Sequence, residues 1–337
     1  NTIKIENKNV QMIAHRGLSG IEKENTNSAF VAAGNRSYFG IETDVHKTAD
    51  GEFVVYVVDN GSADDSVLRI QSWIDEHNEV DVRLLPLDKN YGFAKGNNKG
   101  LEVASKISPD SYLLLNNDTE VLPDFLVRLQ DFSARHPKYR VLTPKINFYY
   151  DKQKVWNCGG KLFFGFRKYF YAGSPDFAVK ENGYIDISFV TGCALFFYPE
   201  LLDDQGHLLT ERFFFGEEDF EFSMRMKKNG IKMACVLDSL IYHKVGASGN
   251  KMFRFGKLYL HYLNRFIDMR LHMGTMKYLF WELLNVPIVL KYFYRSTHSM
   301  LLAFRMLKFL LRDARNKDCV SQKDFDSLVL EQNYFPF

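Results

Sequence analysis

The sequence predicts an α/β protein whose sheet is wound through alternating strands and helices, with a helical appendage at its end. Three observations carry that prediction. Between residues 54 and 134, short β-rich runs alternate with amphipathic runs at the spacing of βαβ units. Between 145 and 189 the chain is dense in Tyr, Phe and Gly, as in an irregular β insertion. Beyond Lys251 it becomes apolar at helical period, and basic.

Residues 11–14 form a short apolar run, and 28–33 read as a helix with Asn27 or Ser28 as N-cap. Residues 40–45 and 53–58 are β-rich, separated by the turn Ala49-Asp50-Gly51. A helix is expected at 66–77, a strand at 82–86, and a helix at 94–105 after a Gly-containing loop. A buried strand follows at 112–115, then a helix at 123–134 opened by Pro123 in its first turn. This rhythm favours a parallel, doubly wound sheet with ligands at the carboxyl ends of the strands.

Of the 337 residues, 46% are hydrophobic and 25% charged, enough to build two modest domains with buried cores. The net charge of +2 is unevenly spread. Residues 251–315 hold twelve Lys/Arg against three Asp/Glu, leaving the rest of the chain acidic. An acidic body with a basic, aromatic tail suggests a metal-assisted site in the body and an anionic surface near the tail, with no nucleic-acid partner. Cys158, Cys193, Cys235 and Cys319 lie far apart, which argues against a disulfide framework or structural zinc and for a reducing compartment. Residues 1–10 are polar, so no signal peptide is expected there, and the missing initial Met suggests that something precedes them.

The apolar run at 278–294 is interrupted by Glu282, Asn285, Pro287 and Lys291, so no membrane span is expected. At 300–315, Arg305, Lys308, Arg312 and Arg315 share one helical face and Leu and Phe the other. That pattern favours a helix lying in a membrane interface over one packing into a core.

Three loops at strand ends are equipped for chemistry. Asp59-Asn60-Gly61-Ser62 presents a carboxylate, an amide and a hydroxyl at a sheet edge. The segment from Asn90 to Gly100, with Gly92, Lys95 and Asn98, opens a helix whose N-terminus favours anions. Asn116-Asn117-Asp118 follows the buried strand and delivers a carboxylate suited to a hard divalent cation.

In this order and spacing the loops resemble glycosyltransferase family 2, closest to its rhamnosyltransferase-like branch, over roughly residues 56–271. Phe189-Val190-Thr191-Gly192-Cys193-Ala194 is similar to the family's acceptor-side loop. The run from Phe213 through Glu217-Glu218-Asp219 to Arg225 is similar to its catalytic helix, and Ile241-Tyr242-His243-Lys244 to its late histidine motif. The resemblance implies a GT-A fold: a mixed sheet with helices on both faces, plus the C-terminal helical appendage.

It further implies an inverting transfer from a nucleoside-diphosphate sugar, rhamnose-like or another hexose. Asp59, Asn60, Ser62, Asn90, Gly92, Lys95, Asn98, Asn116 and Asn117 would bind the donor. Asp118 and His243 would hold Mg²⁺ or Mn²⁺. Thr191, Gly192 and Cys193 would face the acceptor. Asp219 would be the base, with Glu218 beside it and Glu221 or Arg225 orienting it; neighbours in sequence do not share a helix face, so only one acid should meet the acceptor.

The front end differs. Ala14-His15-Arg16-Gly17, Glu24-Asn25-Thr26 and Gly40-Ile41-Glu42-Thr43-Asp44-Val45 resemble the start of glycerophosphodiester phosphodiesterases. There His15 would be an acid/base, and Glu42 and Asp44 metal ligands. The likeness ends near Tyr56, far short of the roughly 250 residues an eight-stranded barrel needs. The expected organisation is a fusion: a diesterase-like β-α-β piece at 1–56 completing the sheet, with His15 and Arg16 near the nucleotide, a transferase domain at 57–250 and a basic helical region at 251–337. The expected activity is glycosylation of a cell-surface glycan or lipid-linked acceptor, by a peripheral protein on the inner face of the cytoplasmic membrane. The alternatives are a catalytically impaired nucleotide-sugar-binding protein and, more remotely, a phosphodiesterase.

Overall fold

The computed structural model describes residues 53–78, 80–245 and 254–330, together with the strand pairs 13–14 and 40–41. Strands β1 (Ile13–Ala14) and β2 (Gly40–Ile41) pair with each other in parallel. His15, Arg16, Glu42, Asp44 and the helix expected at 28–33 lie outside the described residues.

β3 (Val54–Asp59), α1 (Ser66–Glu76) and β4 (Asp81–Pro86) form a βαβ unit, and β3 and β4 run parallel in full register, Val54 opposite Asp81 through Asp59 opposite Pro86. α2 (Phe93–Ala104) then leads to β5 (Tyr112–Leu115), as the sequence predicts. β6 (Thr119–Val121) follows at once. α3 (Phe125–Arg135) begins two residues later than expected: Asp124 is its N-cap, so Pro123 stands outside the first turn.

The main sheet is mixed rather than parallel. Its order is β11 (Tyr184–Ile187), β13 (Lys232–His243), β7 (Tyr139–Phe148), β12 (Ala194–Phe197), β5, with β6 on β13 and β8 (Val155–Asn157) on β7. Within it only β7 and β13 run parallel; the other pairs are antiparallel. β7 carries Pro144, which has no N–H for a ladder. At that point β13 bulges: Val236 opposes Pro144 and Leu240 opposes Lys145, leaving 237–239 unpaired with β7. The insertion contributes a hairpin, β9 (Gly160–Phe163) and β10 (Phe166–Tyr169).

After α4 (Glu218–Lys228) and β13, the tail forms α5 (Arg254–His272), α6 (Thr275–Thr297) and α7 (Met300–Asn316), then a short helix α8 (Gln322–Phe325). No helix among the described residues is long and apolar enough to cross a membrane. The apolar face of α7 (Ala303, Met306, Leu307, Leu310, Ala314) is core, packed with Tyr259, Leu263, Trp281 and Phe293. The membrane-interface expectation for that face is therefore corrected, because antiparallel helices already cover it. The same cluster includes Leu162, Phe189, Phe213 and Phe220, so the tail shares its core with the segments that bracket α4.

Candidate active site

Asp118 sits between β5 and β6. The register Thr119 opposite His243 and a hydrogen bond from Lys244 N–H to the Asp118 carbonyl (2.9 Å) bring it beside the end of β13. Asp118 Oδ1 and His243 Nε2 are 3.0 Å apart, and Oδ1 has no hydrogen-bond partner among the described residues. His243 is buried with its ring against Trp156, centroids 4.3 Å apart. Two ligand-type atoms this close fit a position where one hard cation would meet both. No group of three or more His, Cys, Asp or Glu suited to a metal occurs among the described residues. Mg²⁺ and Mn²⁺ are often held by one or two carboxylates with substrate phosphates supplying the rest, so a pair suffices.

The segment 189–194 runs from this pair to α4. At one end Asn116 N–H donates to the Cys193 carbonyl (2.9 Å); at the other Val190 N–H donates to Ser223 Oγ (3.1 Å), one turn along from Asp219. Burial, then the Asp118 charge, pushes the Cys193 thiol well up. Cys193 belongs to a core cluster with Leu142 and Phe196, which corrects its acceptor-side assignment: its side chain is committed to packing. Thr191 and Gly192 are buried too; the Thr191 hydroxyl accepts from Cys193 N–H, and a Cβ on Gly192 would lie 3.1 Å from the Phe93 ring.

Glu218 and Asp219 occupy the first turn of α4, where the helix N-terminus favours carboxylates. Burial works against that. It raises the Glu218 carboxyl, helped by the charges of Asp219 and Glu217, and Glu218 Oε2 has no hydrogen-bond partner among the described residues. Burial also raises Asp219, although Arg167, 3.8 Å away, opposes the shift. Two acids with raised values at the head of one helix are a suitable source of a general base.

Glu217, just before them, adopts the left-handed region (φ 70°), which is strained for a non-glycine residue. It is buried and ringed by basic side chains: Arg265, His261 (2.7 Å) and Arg167 (3.6 Å). Burial alone would raise its carboxyl, but Arg265, His261 and Arg167 outweigh burial and hold it well below the usual carboxylate range. Asn264 of α5 donates to the carbonyls of Phe215 (2.9 Å) and Gly216 (3.0 Å). The tail thus clamps the loop that presents Glu218 and Asp219. Sequence reasoning missed Arg167, His261, Asn264 and Arg265, which carry no motif and come from two distant segments. Glu221 pairs with Arg225 (3.2 Å) and His272 (3.2 Å), so it braces α4.

The first two loops are stitched together. Asn60 Oδ1 accepts from Tyr91 N–H (2.9 Å), and its Nδ2 donates to the Gly92 carbonyl (3.0 Å) and to Asn90 Oδ1 (3.2 Å). Asp59 is buried and accepts from Ser62 N–H (2.9 Å). Asn98 is fully buried with both ends of its amide engaged: Oδ1 takes Leu208 and Leu209 N–H, and Nδ2 donates to the Leu209 carbonyl and Glu211. Asn60 and Asn98 thus brace these loops, their amides engaged by backbone groups and by the side chains of Asn90 and Glu211. Lys95 pairs with Glu211 at 3.0 Å, Asn117 is exposed, and Asn116 is half-buried. Gly92 (φ +83°) is required: a Cβ there would lie 2.1 Å from the Phe214 carbonyl. The Gly-rich loop consequently abuts the loop before α4.

This architecture is the GT-A fold of nucleotide-diphospho-sugar transferases. Among solved structures, GalNAc-T7, determined with UDP, GalNAc and Mn²⁺, has a TM-score of 0.50 and 14% identity, covering 98% of this chain and 59% of that one. The chain thus spans about 59% of the length of that relative. The mannosyltransferase PcManGT from Pyrobaculum calidifontis, in complex with GDP-Man and Mn²⁺, gives a TM-score of 0.46 at 15% identity over 79% of this chain and 77% of that one. TarS 1–349 from S. aureus gives a TM-score of 0.44 at 15% identity over 85% and 84%. The family model "Glycosyltransferase like family 2" matches residues 43–255, and the chain belongs to that family. A model of the "Glycerophosphoryl diester phosphodiesterase family" matches residues 15–60, overlapping the first match at 43–60. No curated protein matches the chain.

Proposed function

We propose that the chain is an inverting glycosyltransferase that moves a sugar, rhamnose-like or another hexose, from a nucleoside-diphosphate donor to a cell-surface glycan or lipid-linked acceptor. The observation that supports it most is the Asp118–His243 pair joined through 189–194 to the acidic head of α4. Asp118 and His243 would hold Mg²⁺ or Mn²⁺ together with the donor diphosphate, and that cation would supply electrostatic stabilisation of the leaving group. The similarity to GalNAc-T7, solved with UDP, GalNAc and Mn²⁺, supports a divalent cation acting with a nucleotide-sugar donor.

Asp219, held near Arg167, takes the proton from the acceptor hydroxyl. The hydroxyl oxygen bonds to the anomeric carbon as the carbon–oxygen bond to the diphosphate breaks, and the diphosphate departs with the electron pair. Glu218, with its raised carboxyl, stays protonated longer and adds no second negative charge beside the base. The nucleotide lies along the stitched loops 59–62 and 90–95, with Ser62, Asn90 and Lys95 as its side-chain contacts. We place the protein peripherally at the inner face of the cytoplasmic membrane.

A screen of nucleoside-diphosphate sugars with Mn²⁺, read by nucleoside-diphosphate release, tests the reading. Turnover of one donor by the wild type and its loss in Asp219→Asn are expected. Isothermal titration should show Mn²⁺-dependent diphosphate binding that weakens in His243→Ala. Absence of both turnover and diphosphate binding would sink the proposal.

A further inference from the structure

α6 buries one face through Tyr278, Trp281, Glu282, Asn285, Val289 and Phe293, spaced at helical period. The opposite face is apolar as well and stays largely exposed, although the Phe280 ring meets Phe164, centroids 5.9 Å apart. Met276 is 79% exposed, Phe280 56% and Leu283 69%; Leu301 (64%) and Phe304 (52%) at the start of α7 extend the patch. α7 packs on α6 with Arg315 meeting Glu282 (3.1 Å), and it bears a groove of about 540 Å³ that includes Phe304, Leu311, Lys308 and Arg312. A patch of this kind on a protein surface marks an interaction site.

The charges show what covers it. The only acids on α5–α7 are Asp268, Glu282 and Asp313, and all three are buried. Lys277, Lys291, Arg295, Arg305 and Lys308 are exposed. The outer surface therefore combines Leu, Phe and Met with cations and has no exposed carboxylate. Lysine is depleted at the cores of protein–protein interfaces, whereas an apolar stripe rimmed by Lys and Arg suits a bilayer surface. Long basic side chains reach phosphates while their stems stay in the apolar layer. α6 spans 23 residues, about 35 Å, yet neither it nor any other described helix is apolar enough to cross a membrane.

We infer that the outer face of the α6–α7 hairpin docks flat on an anionic phospholipid bilayer. The apolar stripe of α6 enters the headgroup–acyl boundary and the five cations meet lipid phosphates. This deepens the membrane-facing reading of the transferase by naming the surface and the lipid charge. It differs from the sequence-based expectation, which placed the apolar face on α7.

Flotation of the full chain with vesicles of phosphatidylcholine, alone or mixed with phosphatidylglycerol, tests it. Binding to the mixed vesicles, weakened by salt, is expected, with little binding to phosphatidylcholine alone. Leu283→Glu with Phe304→Glu should lower binding by more than about tenfold, and Lys291→Glu with Lys308→Glu should do the same for mixed vesicles only. Leu68→Glu, at an exposed apolar position on α1, should change nothing. No binding to mixed vesicles, or binding that survives Leu283→Glu with Phe304→Glu, overturns the inference. So does a dimer abolished by Leu283→Glu, which would assign the face to a second copy. Nucleoside-diphosphate binding measured on the same samples separates the two readings: lost flotation with intact nucleotide binding overturns the docking face alone.

Discussion

Glu217 shows how much of this site is set by single side chains. Its carboxylate is the counter-ion of Arg265 and Arg167 inside the protein and also meets His261. Removing one partner of a buried pair leaves the other charge uncompensated, so Glu217→Gln should cost about 3 kcal/mol in urea unfolding near neutral pH. Its folded value is depressed, so its contribution is present above the ordinary carboxylate range and lost as pH falls toward the depressed value. The gap between wild type and variant should therefore narrow in acid, and a constant gap would contradict the assignment. Asp219 behaves oppositely. Burial raises it, and a base works deprotonated, so kcat/KM should fall on acidification at a pH above the usual carboxylate range. Arg167→Met removes the cation that opposes the rise and should move that limb up by about one pH unit. Asp219→Asn should lower kcat by about 10²- to 10⁴-fold with little change in donor affinity. Asp118, Asp219 and His243 could be singled out in the sequence because each lies in a recognisable motif. Arg167 and Arg265 were not, because a buried counter-ion carries no local pattern. The bonding of Asn60 and Asn98 was not readable either, because an amide in such a loop looks the same in sequence whether it meets a ligand or a backbone.

Among the elements, the two loops that meet at Gly92 matter most. Gly92→Ala would force a Cβ against the Phe214 carbonyl at a φ that disfavours it. It should raise donor KM and cost about 1–3 kcal/mol, read by donor titration and thermal unfolding. A variant with unchanged KM would separate the Gly-rich loop from the site. The helices α1, α2 and α3 and strands β3, β4 and β5 were readable from period and turn residues. β7, β12 and β13 were not. β12 is buried along its whole length and β7 and β13 along most of theirs, so alternation is missing, and β7 also carries a proline. Because those strands are the central ones of a mixed sheet, the βαβ rhythm at the front suggested a parallel sheet that the rest of the chain does not build.

At the scale of the molecule, the helical tail is part of the catalytic body. Trp281 is completely buried in the cluster that also holds Phe189, Phe213 and Phe220. Trp281→Ala should cost about 3–5 kcal/mol and lower turnover too, since α5 carries the residues that clamp 215–217. Unchanged turnover in a folded Trp281→Ala protein would show the two regions to be independent. Composition had marked the tail as basic and helical, but its docking depends on Asn264 and Arg265 reaching a loop almost fifty residues away, which no periodicity reveals.

Another tie to that loop comes from further along still. Phe214 N–H donates to the Val320 carbonyl (2.9 Å) and Val320 N–H to the Arg212 carbonyl (2.8 Å). A ribosome making this protein emits the loop ahead of α4 about a hundred residues before Val320. Until Val320 has left the exit tunnel the loop stays untethered on that side, so completing α4 does not by itself fix the loop.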